Sequence, residues 1–233
     1  VSGIDANVYV KCEFLNPSGS IKDRIALRMI EEAERSGKLR KEGTIIDATS
    51  GNTGPALSFV GSMKDYKVRL FIPARWAGEY NPQNRVRIME CFGAEVEEFS
   101  TEGCESLLDG LSASEMSAAV FAIGMKKCYD LERKDPMFWW ANQTDNPDNA
   151  RAHRETTGKE ILQQLDNKVD VWVASMGTGG TMLGVAEALR EKIGHVKVVG
   201  LEPEDGRVTE WSRSGSMNKY RAAVGLPPAK SLV

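Results

Sequence analysis

Lys22 stands where a predicted helix begins, and a lysine in that position could do chemistry. It follows residues 8–14, which we predict to be a strand, and the turn Asn-Pro-Ser-Gly-Ser at residues 16–20. Ser20 and Asp23 form the pattern of a capping box, which places Lys22 in the first helical turn. The positive end of the helix dipole disfavours an ammonium there and lowers its pKa. A lysine that loses its proton readily can form a Schiff base, and a solvated lysine at a helix end is the alternative.

A glycine-rich stretch provides a second candidate, with the sequence Gly177-Thr178-Gly179-Gly180-Thr181. Glycines let backbone N–H groups approach an anion, threonine hydroxyls add donors, and a following helix adds positive potential. The stretch departs from the dinucleotide fingerprint, because Met182 occupies the place of the third glycine, and it lacks the GK[ST] of a P-loop. We predict that it binds the phosphate of a ligand other than a nucleotide. A tight turn that needs glycine for packing is the alternative.

A third candidate is the stretch Thr49-Ser50-Gly51-Asn52-Thr53-Gly54, which precedes a helix predicted to start at Pro55. It offers hydroxyls, an amide and bare backbone at a helix N-terminus, a combination suited to a carboxylate. A polar turn without a ligand is the alternative.

The elements around these stretches alternate between strand-like and helix-like segments. We predict strands at residues 44–48, 68–73, 95–99, 138–140, 169–174 and 196–201. Such alternation indicates an α/β fold with mainly parallel sheets and helices on both faces. Ligands of such sheets gather at the carboxyl ends of the strands, so we expect all three candidate stretches on one rim. Residues 204–233 lose the periodicity, and no regular element is predicted there.

Composition excludes several classes of function. The chain has 233 residues, a net charge of −3 and a pI near 5.6, which gives no electrostatic case for nucleic acid or an anionic membrane. No apolar run approaches the length of a membrane span, and the start lacks a signal-peptide pattern.

Cysteine and histidine usage gives no sign of a metal site. The four cysteines are widely spaced and form no CxxC pair, which favours reduced thiols and a cytoplasmic location: Cys12, Cys91, Cys104 and Cys128. The two histidines, His153 and His195, are interpreted as surface or structural residues. We therefore predict no bound metal.

Taken together, a phosphate cradle, a carboxylate cradle and a lysine of low pKa describe a site for pyridoxal 5′-phosphate holding an amino acid. The lysine forms the Schiff base, and the cofactor acts as an electron sink. The three stretches resemble the three signatures of the fold-type II pyridoxal-phosphate enzymes. They are most similar to the cysteine synthase and cystathionine β-synthase branch, which includes O-acetylserine sulfhydrylases. The resemblance runs from about residue 9 to 205 and includes Asn142-Gln143 and the run from His153 to Ile161.

The resemblance implies a two-domain α/β fold similar to the β subunit of tryptophan synthase. Residues 1–145 would form the smaller mobile domain, which carries Lys22 and the Asn52 loop. Residues 146–233 would form part of the larger domain with the phosphate-binding loop. The family also implies a further C-terminal part, which we expect to be missing here, together with a Ser or Thr facing the pyridine nitrogen.

The resemblance also implies a role for each candidate residue. Lys22 would hold the cofactor and later move the α-proton of the substrate. Asn52 would hydrogen-bond the 3′ oxygen of the cofactor. The phosphate would be held by Gly177, Thr178, Gly179, Gly180 and Thr181. The substrate carboxylate would be held by Thr49, Ser50, Gly51, Asn52, Thr53 and Gln143.

The reaction implied is β-replacement, in which O-acetylserine and sulfide give cysteine and acetate through an aminoacrylate intermediate. Alternatives within the class are an O-phosphoserine sulfhydrylase, with Arg207 or Arg213 near the substrate phosphate, a cystathionine β-synthase and a diaminopropionate-forming relative. An alternative of another class is a catalytically weak regulatory or binding paralogue. The family expectation is a homodimer that acts on a small amino acid and a small nucleophile, sulfide or a thiol.

Two departures from the family pattern bear on the pocket. Thr144 stands where this branch has an aromatic residue after the glutamine. Residues 75–80 form an apparent insertion, which could alter a lid or a partner surface.

Overall fold

Two parallel β-sheets organise the computed structural model, which describes residue 3 and residues 5–74, 83–202 and 216–229. The first sheet has four strands in the order β3-β2-β1-β4, and the second consists of β5 and β6. The strands are β1 (Thr44–Ala48), β2 (Lys67–Pro73), β3 (Glu95–Phe99), β4 (Phe138–Trp140), β5 (Val171–Ser175) and β6 (Lys197–Leu201).

Helices cover both faces of the first sheet and one face of the second. They are α1 (Lys22–Arg35), α2 (Thr53–Met63), α3 (Gln83–Cys91), α4 (Glu105–Leu108), α5 (Ala113–Lys134), α6 (Asp148–Ala152), α7 (Gly158–Gln164), α8 (Gly180–Ile193) and α9 (Ser216–Ala223). A π-helical turn, His153–Thr157, joins α6 to α7 without a break. No helix in the described part of the chain has the length and apolar character needed to cross a bilayer.

Strand β1 lies at the centre of the first sheet, because its residues are apolar toward both faces. Ile45 is aligned with Val68 of β2 and Trp139 of β4 and packs in the cluster that includes α1 and α2. Ile46 points to the other face, where it packs with Met125 of α5. Burial on both faces is typical of a parallel sheet. This fixes the carboxyl end of β1, from which the Thr49–Asn52 loop emerges.

The second sheet is covered on one face by α7 and α8, whose Ile161, Val185 and Leu189 form a separate core cluster. Val171 and Val173 of β5 lie on the other face and are exposed. The core on the covered face fixes the carboxyl end of β5 and the loop leading into α8.

The predicted α/β fold with parallel sheets is confirmed, and two local predictions are wrong. Residues 8–14 do not form a strand: their apolar side chains are largely exposed, and Glu13–Leu15 forms a 3₁₀ turn. Residues 216–223 form a helix, α9, whose Tyr220 is buried against α5. The division of the chain at residue 145 stays a prediction. The apparent insertion at residues 75–80 lies outside the described residues.

Arg24 ties the start of α1 to two other segments. It donates to both carboxylate oxygens of Glu13 at 2.7 and 2.8 Å and to both of Glu160 at 2.7 and 2.8 Å. Hydrogen bonds to Arg24 lower the pKa of Glu160 to about 2. This network holds Lys22, two residues away, in place.

We expect Arg24→Leu to lower the free energy of unfolding by about 2 kcal/mol, because it leaves two partly buried carboxylates without their partner. Arg35→Leu is the matched control, because Arg35 also pairs with a carboxylate, Glu32, but its side chain is 70% exposed. Its effect on the free energy of unfolding should be much smaller, because an exposed ion pair is screened by solvent. Urea unfolding followed by circular dichroism measures both. Equal effects for the two variants would show that the Arg24 network contributes no more than a surface ion pair.

Candidate active site

The first candidate residue, Lys22, is the first residue of α1. The Ser20 hydroxyl accepts the backbone N–H of Lys22 at 3.2 Å, whereas the Asp23 carboxylate accepts the backbone N–H of Ser18 at 2.8 Å and also its hydroxyl. The predicted capping box between Ser20 and Asp23 is therefore wrong. Ser18 offers Asp23 two donors at once, and the carboxylate turns back to them.

Burial lowers the pKa of the half-buried Lys22 ammonium. The direction agrees with the prediction, but the physical cause is desolvation, which disfavours the charged amine. Within the described part of the chain, its ammonium has no hydrogen-bond or ion-pair partner. Lys22 thus carries an amine that is partly buried and more easily deprotonated than a solvated lysine, as Schiff-base chemistry requires.

The glycine stretch forms the connection between β5 and α8. Gly179 is the N-cap of α8 with φ 83°, a left-handed conformation that favours glycine. A Cβ added to Gly177 would meet no atom within 4 Å, so open space lies beside this backbone. The loop therefore presents N–H groups at a helix N-terminus to a space in which an anion fits.

Close packing of α8 against α6 sets the position of this loop. A Cβ on Gly180 would lie 2.0 Å from Asn149 Oδ1, and one on Gly184 would lie 2.0 Å from the backbone oxygen of Ala150. Glycine is required at both positions because the neighbouring helix occupies the space of a side chain.

Two buried residues behind the loop were not predicted as part of the site. Asn149 Nδ2 donates to Thr178 Oγ1 at 2.9 Å, and His153 Nε2 lies 3.1 Å from Thr181 Oγ1. The interpretation of His153 as a surface residue is wrong, because its side chain is 0% exposed. The structural interpretation fits, since Nδ1 of its ring also lies 3.0 Å from Thr157 Oγ1.

In the carboxylate loop, a side-chain pair joins α2 to the segment that follows β4. The Thr53 hydroxyl donates to Gln143 Oε1 at 2.5 Å, and both residues are buried. Because this bond uses the only hydroxyl proton of Thr53, the amide N–H₂ of Gln143 is the group left to donate to a substrate. Thr49 is also buried, and its hydroxyl accepts the N–H of Gly51 at 3.2 Å. Direct binding of the substrate carboxylate by Thr49, Ser50, Gly51 and Thr53 stays a prediction.

Asn52 is exposed and has a partner that was not predicted. Arg85 Nε donates to Asn52 Oδ1 at 3.1 Å. The bond occupies the carbonyl oxygen of the amide and leaves its N–H₂ group to donate to an oxygen of a ligand. Asn52 can thus serve the role predicted for it toward the cofactor.

The candidate stretches are brought together by a route other than the predicted rim. Their strands β1 and β5 belong to different sheets, and Lys22 follows no strand, so the prediction of one shared rim is wrong. Asn149 and Gln143 link the two loops instead. The Asn149 amide donates to Thr178 and, at 2.7 Å, to the backbone oxygen of Gln143, and the Gln143 side chain accepts from Thr53. His153 lies close enough to Lys22 for the ammonium to lower its pKa.

A buried acid, Asp47, lies directly before the loop that begins at Thr49. Asp47 is 2% exposed, and its Oδ1 accepts from Trp140 Nε1 at 3.0 Å and from the N–H of Ala48 at 3.0 Å. Burial raises its pKa to about 7, against the opposing effect of these donors. Burial also lowers the pKa of His153 to about 4, and the charge of Lys22 acts in the same direction.

Asp47 and His153 should change the free energy of unfolding in opposite directions as the pH rises. Between pH about 4 and 7, Asp47 is protonated when folded and ionised when unfolded, so stability falls as pH rises. Between pH about 4 and 6.5, His153 is neutral when folded and charged when unfolded, so stability rises with pH. We expect Asp47→Asn to remove the first slope and His153→Gln the second, each by up to about 1.4 kcal/mol per pH unit.

Urea unfolding midpoints at several pH values between 4 and 7 measure these slopes. Relative to wild type, stability should rise more steeply with pH in Asp47→Asn and less steeply in His153→Gln. Parallel pH profiles for all three proteins would contradict the assigned pKa shifts.

The residues present fit pyridoxal phosphate. Open space beside Gly177 and Gly51 leaves room for a ligand against bare backbone. The glycine stretch bears hydroxyls and N–H groups and no acidic side chain, which suits a phosphate. The Lys22 amine supplies the group that an aldehyde needs.

Comparisons with known proteins agree with this chemistry. The family described as pyridoxal-phosphate dependent enzyme matches residues 2–227. A cysteine synthase of Flavobacterium sp. is 41% identical over 200 residues, which cover 86% of this chain and 58% of the relative. The chain therefore spans less than two thirds of the length of this curated relative.

Two solved structures share the fold. A hydrogen sulfide-producing enzyme from Fusobacterium nucleatum matches with a TM-score of 0.69 and 38% identity, covering 84% of this chain and 58% of that one. An O-acetylserine-dependent cystathionine β-synthase from Helicobacter pylori matches with a TM-score of 0.66 and 34% identity, covering 82% of this chain and 56% of that one.

Proposed function

The chain belongs to the family of pyridoxal-phosphate-dependent enzymes, and on that premise we propose that it catalyses a β-replacement on O-acetylserine. Sulfide would replace the acetate group, and the products would be cysteine and acetate. The observation that carries the proposal is the hydrogen-bonded chain from Thr178 through Asn149 and Gln143 to Thr53, which links a phosphate loop to a carboxylate loop. Lys22, whose pKa is lowered by burial, lies near enough to act electrostatically on His153 of the same site.

Each group of the chain has a defined task in this reaction. The cofactor, when bound, supplies the electron sink that makes the α-proton of the amino acid acidic. Lys22 would hold the cofactor through its amine and, once the amine of the substrate has displaced it, would be free to take the proton from the α-carbon. Gln143 donates its amide N–H₂ to the substrate carboxylate, and Thr53 fixes the orientation of that amide. The N–H groups and hydroxyls of the glycine stretch hold the phosphate.

O-acetylserine is proposed as the substrate because one matched structure is O-acetylserine dependent by its description. Cysteine is proposed as the product because another matched relative is a cysteine synthase. The first of these is a cystathionine β-synthase, which favours a second candidate nucleophile, the thiol of homocysteine. The two nucleophiles share every step at the α-carbon and differ only in what attacks the β-carbon.

The test is an assay of the full-length protein with defined substrates. O-acetylserine, O-phosphoserine and serine are each offered with sulfide or with homocysteine, and the products are separated and quantified. Cysteine formed from O-acetylserine and sulfide, in preference to the other pairs, is the expected result. O-phosphoserine as the preferred substrate would move the proposal to that sulfhydrylase. The absence of product from all pairs, with cofactor bound, would favour a binding paralogue.

The proposal extends to assembly and location. We infer a homodimer in the cytoplasm, in which a domain of residues 1–145 closes on the rest of the protein when the substrate carboxylate binds. Light scattering coupled to size-exclusion chromatography tests the dimer, and a monomer at assay concentrations would overturn that part.

A further inference from the structure

The hydroxyls of Thr178 and Thr181 in the phosphate loop each contact a buried side-chain nitrogen atom of the neighbouring helical segment. Asn149 Nδ2 lies 2.9 Å from Thr178 Oγ1, and His153 Nε2 lies 3.1 Å from Thr181 Oγ1. We call Asn149 and His153 the backing pair. They are 1% and 0% exposed, and they lie one helical turn apart on α6 and the π-helical turn. The same helix face therefore supports both hydroxyls of the loop.

The contact made by Asn149 determines where the Thr178 proton can go. An amide nitrogen can only donate, so the Thr178 oxygen is the acceptor in this bond. The hydroxyl proton of Thr178 is therefore free to point away from Asn149. Open space lies beside the preceding residue, Gly177.

The contact made by His153 has the same result if Nε2 carries the ring proton. A neutral imidazole has one N–H and one acceptor nitrogen. Thr157 Oγ1 lies 3.0 Å from Nδ1, and a proton donated by Thr157 would place the ring proton on Nε2. Burial and the charges of Lys22 and Arg24 lower the pKa of the ring to about 4, with Glu13 opposing them, so it is neutral near pH 7. Thr181 then accepts from Nε2–H and keeps its own proton free.

We propose that Asn149 and His153 are positioning residues that make Thr178 and Thr181 donate their hydroxyl protons to the phosphate of the cofactor. A phosphate dianion only accepts hydrogen bonds, so a hydroxyl whose proton is used elsewhere would present lone pairs to it and repel it. A hydroxyl can either donate or accept a hydrogen bond, and the backing pair makes the hydroxyls of Thr178 and Thr181 donors toward the phosphate. The inference rests on the proposed function, because it takes pyridoxal phosphate as the ligand.

The test compares two ligands that differ only in the group recognised. Pyridoxal 5′-phosphate and pyridoxal carry the same aldehyde, but pyridoxal lacks the phosphate. Full-length protein freed of cofactor is titrated with each, and binding is followed by absorption and by tryptophan fluorescence. The change in the ratio of the two dissociation constants from wild type to variant measures recognition of the phosphate, because the ring closure of free pyridoxal contributes equally to every ratio.

Two variants change the backing with little change of shape. Asn149→Asp replaces the donating amide by a carboxylate, which would accept the Thr178 proton. Thr157→Val removes the hydroxyl that holds the His153 proton on Nε2. Thr156→Val is the matched control, because Thr156 lies in the same π-helical turn but donates to the backbone oxygen of Ala152. Circular dichroism checks that each variant is folded.

We expect each of the two variants to weaken binding of pyridoxal phosphate about 10-fold or more, the range for residues that position ligand-contacting groups. Binding of pyridoxal should change by less than about twofold, as should both ligands in Thr156→Val. If Thr157→Val weakened the binding of both ligands equally, Thr157 would have only a structural role and the inference would be overturned. Unchanged binding of both ligands would overturn it as well. Wild-type protein that binds neither ligand would overturn the proposed function and this inference with it.

Discussion

Lys22→Ala should abolish cysteine formation, with a loss of at least about a thousandfold, because in the proposed reaction Lys22 both holds the cofactor and moves the α-proton. The stability of the protein should change little. Within the described residues the ammonium has no bonded partner, and its removal relieves the cost of burying a charge. The visible absorption of the bound cofactor should also change, because the covalent bond to the protein is lost. Product analysis, absorption spectra and urea unfolding measure the three quantities.

Lys22→Arg is the matched control for charge and size. It keeps a cation at the start of α1, but a guanidinium does not lose its proton in a protein and cannot take part in the same chemistry. We expect it to be as inactive as Lys22→Ala. Activity within about tenfold of wild type in either variant would remove Lys22 from the reaction.

Gly184→Ala should destabilise the protein by about 3 kcal/mol or more, because its added carbon meets backbone atoms that have no room to move. The Cβ would lie 2.0 Å from the oxygen of Ala150 and 2.9 Å from the backbone nitrogen of Arg154. Forcing α8 away from α6 would also move the phosphate loop from Asn149. We therefore expect weaker binding of the cofactor as well as a lower urea midpoint.

Gly177→Ala is the control for this substitution. Its added carbon would meet no atom within 4 Å, and its backbone lies outside the left-handed region. Its urea midpoint should correspond to a change of no more than about 0.5 kcal/mol. If Gly184→Ala is as stable as Gly177→Ala, the close approach of α6 and α8 does not constrain the fold.

The strands and the candidate loops could be predicted from sequence because their signals are local. Residues 44–48 carry the β-branched Ile45 and Ile46 on opposite faces and end at a polar turn, and the structure has β1 at Thr44–Ala48. The glycine stretch similarly marks the start of α8. The prediction is wrong for residues 8–14, where apolar character indicates a strand. Their conformation follows instead from the tertiary contacts of Glu13 and Lys11 with Arg24 and α7.

The residues that join the loops could not be found in this way. Asn149 and His153 lie in a helical segment, residues 148–157, that has no large apolar side chain, so nothing local separates a buried side chain from a solvated one. Their burial depends on the glycines of α8, some 30 residues later, which let the two helices approach. The glycines at 180 and 184, four residues apart on one helix face, were the available signal.

The π-helical turn has a consequence for insertions and deletions. It holds one residue more than an α-helix of the same path, and one residue corresponds to a rotation of about 100° around the helix axis. Asn149 and His153 before and within the turn face the ligand loops, while Ile161 after it faces the core and Glu160 faces Arg24. Deleting a single residue between 153 and 157 would restore a regular helix and bring the two ends out of phase. The segment could then keep its contacts with the ligand loops or those with the core, but not both. We therefore expect its length to tolerate no change of even one residue, although much of its sequence lies at the surface.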